Sequence, residues 1–175
     1  MHHETTLQLW YEKEGKEIHL IPPASARNCK QTLQLISNEN KQRDILGNLC
    51  AIGSCRSVYM SRIIGQDHAP VASDIDWDKH ELWLDCAVAI QRPVLTEGEN
   101  VQLSRPAVPG SVFLVTRTRS TPLEAQNQSV TVPASNDGDA FLRFRPRLKV
   151  IVRKTNIELV EWNIRHSWSL EVEEV

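Results

Sequence analysis

The sequence predicts an all-β protein, an antiparallel β-sandwich or barrel with at most one or two short helices, and three observations carry that expectation. In the stretch from Phe141 to Arg153, Leu142, Phe144, Leu148, Val150 and Val152 fall on one parity, while Arg143, Arg145, Arg147, Lys149 and Arg153 fall on the other. A period of two places alternate side chains on opposite faces of a strand. The C-terminal segment repeats the alternation with the opposite charge, setting Trp168, Leu170 and Val172 against Ser169, Glu171 and Glu173. Elsewhere short apolar, β-branched runs recur between turn signals, with no sustained helical period to compete. If the basic and acidic strands share a sheet, their outer faces offer cross-strand ion pairs worth roughly 0.2–1 kcal/mol each.

Taken in order, Thr5 to Tyr11 and Glu17 to Ile21 flank Glu12-Lys-Glu-Gly-Lys16 and read as a hairpin, with Gly15 supplying the positive φ of the turn. Pro22-Pro23 ends the pairing, because proline cannot donate to a ladder. Gln31 to Ile36 alternates as a half-exposed strand. Ser37 to Arg43 is a loop or a short helix capped by Ser37 or Asn38, with Ile45, Leu46 and Leu49 as its apolar side. Ser57 to Ile64 is a strand ending at Gly65, and Gln66 to Ser73 is a loop. From Glu81 to Gln91, Leu82, Leu84, Cys86, Val88 and Ile90 keep one parity, which predicts one continuous core strand ended by Pro93.

Val94 to Gly110 reads as an irregular connection and Ser111 to Thr118 as a strand. Thr121 to Gln128 has a weak helical character, and Ser129 to Val132 is a short strand. Asn136-Asp-Gly-Asp139 is a hairpin signal, since these residues tolerate left-handed backbone angles. Asn156 to Ile164, with Trp162, is a further strand before the acidic one. At 175 residues the chain suits one full core, so a single β-rich domain over 1–175 is expected, with a small N-terminal hairpin elaboration at 1–23.

The formal net charge of −2, with both signs spread along the chain, argues against a nucleic-acid footprint. No apolar run is long enough to span a bilayer, and Met1 to Thr6 lacks the basic and apolar regions of a signal peptide, which predicts no membrane partner and synthesis in the cytoplasm. Cys29, Cys50, Cys55 and Cys86 lack the close pairs of zinc or iron–sulfur sites and read as free thiols, Cys86 as a small buried hydrophobe. No cofactor is expected.

Candidate chemistry is sparse. Asp74, Asp76 and Asp78 alternate like the opening of a calcium loop, but Lys79 stands where that loop needs glycine and Asp85 where it needs glutamate. They read instead as an acidic loop entering a strand. His80-Glu81 fails the H-E-x-x-H pattern at Leu84, and no G-x-S-x-G, Walker or G-x-G-x-x-G sequence occurs. Trp77, Trp83 and Trp162 are either core residues, the expected placement, or a stacking surface for a carbohydrate or other small ligand.

Ala24 to Leu33, Leu46-Gly-Asn-Leu49 and Tyr59 to Asp67, together with Phe144-Arg-Pro-Arg-Leu148 and the closing strand Trp168 to Val175, resemble a tail-tip or baseplate component of a long-tailed bacteriophage. The resemblance implies a non-enzymatic β-protein of the virion tail, assembled in the host cytoplasm, whose partners are copies of itself in a ring and other phage tail proteins. Head-to-tail closure requires two complementary surfaces on each subunit. The candidates are the basic row Arg143, Arg145, Arg147 and Lys149 and the acidic residues Asp74, Asp76, Asp78, Glu171, Glu173 and Glu174, in a contact that weakens as salt rises.

Overall fold

The computed structural model describes residues 7–22, 29–37, 40–52, 57–67, 70–77, 80–94, 100–126, 128–133, 139–160, 162 and 165–175. In chain order the strands are β1 (Gln8–Lys13), β2 (Lys16–His19), β3 (Lys30–Ser37), β4 (Asn40–Arg43), β5 (Leu49–Ile52), β6 (Ser57–Asp67), β7 (Leu82–Asp85) and β8 (Ile90–Pro93). They continue with β9 (Asn100–Gln102), β10 (Val112–Val115), β11 (Ser120–Leu123), β12 (Ser129–Thr131), β13 (Phe141–Phe144), β14 (Arg147–Val160) and β15 (Arg165–Glu174). Among the described residues every strand pairing is antiparallel, and the all-β class is as the alternation predicts.

A seven-stranded sheet runs in the order β2-β1-β7-β14-β15-β6-β3. The N-terminal hairpin turns through Glu14 and Gly15 at φ 53° and 74°. Two successive positive φ values match the twist of the flanking strands. β1 pairs on its other side with β7, Leu9 opposite Leu84, so the hairpin expected as an elaboration is the margin of the main sheet. Leu9, Leu82, Leu84, Leu148, Val150, Val152, Trp168, Leu170, Val172 and Ile63 form its buried face, closed by Leu20, Ile21 and Val71 from the connections. Trp168 lies opposite Gly65 in the register of β15 with β6. A Cβ on Gly65 would overlap the indole and come within 2.9 Å of its Nε1. Gly65 therefore sits inside β6, where the ring needs the space, and does not end the strand.

A second core lies around a four-stranded sheet, β11-β10-β13-β8, against which the β9–β12 ribbon packs Val101 and Val130 onto Leu114, Leu142 and Phe144. Among the described residues most buried apolar side chains thus fall into two clusters where one core is expected, and both predicted long strands cross between them. The run from Glu81 to Gln91 divides into β7 and β8. At the crossing, Ala87 N and Val88 N donate to Gln31 Oε1 at 2.7 and 3.1 Å, so these amides leave the ladder. The basic run divides at Arg145-Pro146, because Pro146 has no amide hydrogen to keep it in a ladder. Its carbonyl accepts from Cys86 N at 3.1 Å, and Arg147 N donates to Pro106 O at 2.8 Å. The apolar parity runs through both crossings, with Asp85 buried out of turn by its ion pair, which is why periodicity does not reveal them.

Four further expectations change. The predicted loop or helix after Ser37 is a hairpin, β4 with β5. Thr121 begins no helix; Ser120–Leu123 pairs with β10, Pro122 opposite Phe113. β14 runs through Asn156 to Val160 as one strand with the basic segment, so these residues do not begin a separate strand; residues 161, 163 and 164 of the expected one lie outside the described residues. Residues 134–138, which hold most of the Asn136–Asp139 signal, lie outside the described residues; the flanking β12 and β13 pair in different sheets, not with each other.

Candidate functional site

Two ion pairs, each a buried carboxylate with a half-buried arginine, mark the junction of the sheets. Asp85, at the end of β7, accepts two hydrogen bonds from Arg147 at the start of β14, 2.6 Å from Nε and 2.8 Å from Nη2. Arg147 also lies over the Trp10 ring at 5.5 Å, and Trp10 stacks on Trp83 at 6.0 Å. The fork geometry of guanidinium with carboxylate suits this planar stack. Its hydrogen bonds to Asp85 raise the Arg147 pKa further.

The second pair is Arg105 with Glu174 at the end of β15. Arg105 Nη2 donates to Glu174 Oε2 at 3.0 Å and to Ser57 O at 2.8 Å, and Tyr59 N donates to the same carboxylate at 2.9 Å. Arg105 lies 5.6 Å above the Tyr59 ring. Burial raises the Tyr59 pKa, partly opposed by the Arg105 charge. Arg105 is invisible to a search for alternating charge because it sits in the irregular segment after β9.

These contacts use up much of the charge assigned to a subunit contact. Arg147 is held by Asp85 and Lys149 pairs with Glu81. Arg153 Nε donates to Glu173 at 2.7 Å, the cross-strand pair expected between basic and acidic strands. Glu171 lies 3.8 Å from Arg62. Arg143 covers the Phe113 ring at 5.6 Å on the second sheet, away from Arg147 and Lys149 on the first. Arg145 is half-buried in the crossing segment, where its amide donates to Ser111 Oγ at 3.2 Å. The row is thus split between sheets and partnered within the chain, and does not form one basic face. Asp74 and Asp76 are exposed, and Asp78 lies outside the described residues.

A β-bulge falls between Val152 and Lys154. Beyond it the inward positions change parity, to Thr155 and Ile157. Beside it lies an open cleft of about 340 Å³ lined by Ile75, Asp76, Trp77, Val152, Arg153, Lys154 and Thr155. One aromatic ring, one carboxylate and two cations there suit a small polar ligand. Among the described residues no three His, Cys, Asp or Glu side chains gather as metal ligands. Cys86 is a buried free thiol, and burial pushes its pKa up to about 12.

The largest departures from expectation are at strand ends. The β4–β5 turn is held by Asp44, which accepts from Leu46 N and Asn48 N, both at 2.8 Å, while Arg43 Nη1 donates to Gly47 O at 2.7 Å. The turn presents Ile45 and Leu46 to solvent at 103% and 80% exposure. Near the β14–β15 end, Trp162, expected in the core, is 94% exposed and Leu159 57%. No protein-family model and no curated protein matches the chain.

Proposed function

We propose that this chain is a non-enzymatic structural protein that works through subunit contacts, as a ring or tip component of a phage tail. The observation that supports this reading is the exposure of large apolar side chains at the β4–β5 turn and beyond the end of β14. A turn locked by Asp44 and Arg43 holds Ile45 and Leu46 out in water, a cost that coverage by another protein surface removes. Trp162 and Leu159 give a second apolar projection. Because the charges of the basic and acidic strands are paired internally, the contacts are apolar and backbone-mediated, and they persist as salt rises. Negative-stain electron microscopy of concentrated protein tests this: particles of one defined size, ring or multimer, are expected, and fields of single subunits at every concentration and salt refute self-assembly.

The bulge cleft supports a second reading, a module that binds a carbohydrate or other small polar ligand against Trp77. Titration with a glycan panel, read by tryptophan fluorescence and compared with Trp77→Ala, distinguishes it.

A further inference from the structure

A sheet edge carries a row of backbone donors and acceptors that another strand can complete, and proteins guard such edges with charge, proline or brevity. Among the described residues most outer strands are guarded. β2 is Lys-Glu-Ile-His, β11 carries Pro122, and β8 carries Arg92 and Pro93. The strands of the two ribbons are three or four residues long. β3 differs. It forms the margin of the seven-stranded sheet beyond β6, it is eight residues long, and Gln31-Thr-Leu-Gln-Leu-Ile-Ser37 contains no charge, proline or glycine.

We infer that β3 is the edge through which two copies of this chain join, antiparallel and about a two-fold axis at Gln34. The choice of a second copy rests on self-complementarity. Leu33 packs against the core and Leu35, two positions on and on the same side, is 54% exposed. With Gln34 opposite Gln34 of the second copy, each Leu33 faces a Leu35, and Thr32 faces Ile36 on the other surface. A register shifted by one residue would set core-side positions against outward ones. Lys30 falls beyond Ser37 of the second copy, so no like charges meet. The joined sheets form one fourteen-stranded sheet, twice the seven of one chain. A two-fold contact closes a pair, which other contacts then link into larger assemblies. The inference rests on the assembly reading and names its first contact.

The test is sedimentation equilibrium of the full chain over a wide concentration range, with Gln34→Lys and Gln34→Glu. Gln34 is exposed, so both variants fold. The wild type is expected to pair. Each variant alone sets like charges together at the axis and raises the dissociation constant about tenfold or more. An equimolar mixture sets Lys against Glu and restores pairing. An oligomer that both variants leave unchanged, or a mixture that fails to recover, overturns the β3 contact and leaves the assembly reading standing. A wild type that stays monomeric throughout overturns both, as does an edge occupied only by a strand of another protein for the two-fold pair.

Discussion

Replacing Gly65 by Ala puts a methyl group where the Trp168 indole already lies. The added Cβ falls 2.9 Å from Nε1 and nearer still to Cζ2 and Cε2, whereas ordinary carbon contacts need about 3.5–4.0 Å. The ring must retreat by about 1 Å into a core where Trp168 is 2% exposed. Overpacking of this kind costs about 1–3 kcal/mol. The backbone at Gly65 is not in the left-handed region, so Ala is otherwise tolerated there and recovers about 0.5–1 kcal/mol of strand preference. A net loss of about 1–2 kcal/mol follows, which for a chain of 175 residues lowers Tm by about 2–8 °C. Urea and thermal unfolding of Gly65→Ala, Trp168→Phe and the double variant form the assay. The smaller ring makes room for the methyl, so the double variant is expected to be more stable than the sum of the single losses. Trp168 Nε1 has no hydrogen-bond acceptor among the described residues, so Phe also removes an unmatched donor. A Gly65→Ala protein as stable as wild type, or additive losses, refutes the steric account.

Three other outcomes follow from the same geometry. Arg147→Met strands the buried Asp85 carboxylate and costs about 3 kcal/mol in urea unfolding, while Asp85→Leu with Arg147→Met recovers much of that loss; equal losses in single and double variants contradict the pairing. Hydrogen bonds from Asn48, joined by Leu46 and Gly47, hold the Asp44 carboxyl below its ordinary 3.8; the stabilisation is present above that pH and is lost as pH falls through the lowered value, so the protection of the Leu46 and Asn48 amides relative to their intrinsic exchange rates falls in acid, and Asp44→Ala abolishes the dependence. Burial raises Cys86 from 9.0 to about 12; its contribution is complete below pH 9.0 and is lost as pH rises through that interval, and at pH 8 native Cys86 resists alkylation by iodoacetamide, followed by peptide mass mapping.

Much of the fold was legible because a half-buried strand writes its two faces directly into alternate residues. Leu148, Val150, Val152, Leu170 and Val172 all lie on the side their parity predicts. What parity cannot report is which sheet a strand belongs to. Alternation continues through Pro146 and through Cys86–Ala89, although the chain changes sheets at both, and only the proline's missing donor gave a local sign of it. The bulge at Arg153 is also hidden, since a single extra residue looks like one more member of the basic row. Partners far apart in sequence, such as Arg147 with Asp85, turned charges expected on an outer contact into internal pairs. The β4–β5 turn was readable in principle: Asp44 before Gly47-Asn48 is a side-chain-capped turn, and Gly47 takes φ 84°. Ile45 and Leu46 imitate an apolar helix face instead. Trp162 carries no local mark separating it from the buried Trp168, because exposure at a strand end depends on where the sheet stops.

The measurement that bears most directly on the proposed assembly is the solution mass of the full chain by light scattering behind a sizing column, over a series of protein concentrations at low and high salt. A mass that rises to a defined multiple of 19.9 kDa and is maintained at high salt is the predicted result. A mass fixed at 19.9 kDa at every concentration, or a multimer that high salt dissolves, contradicts an assembly built on apolar turns and an open sheet edge.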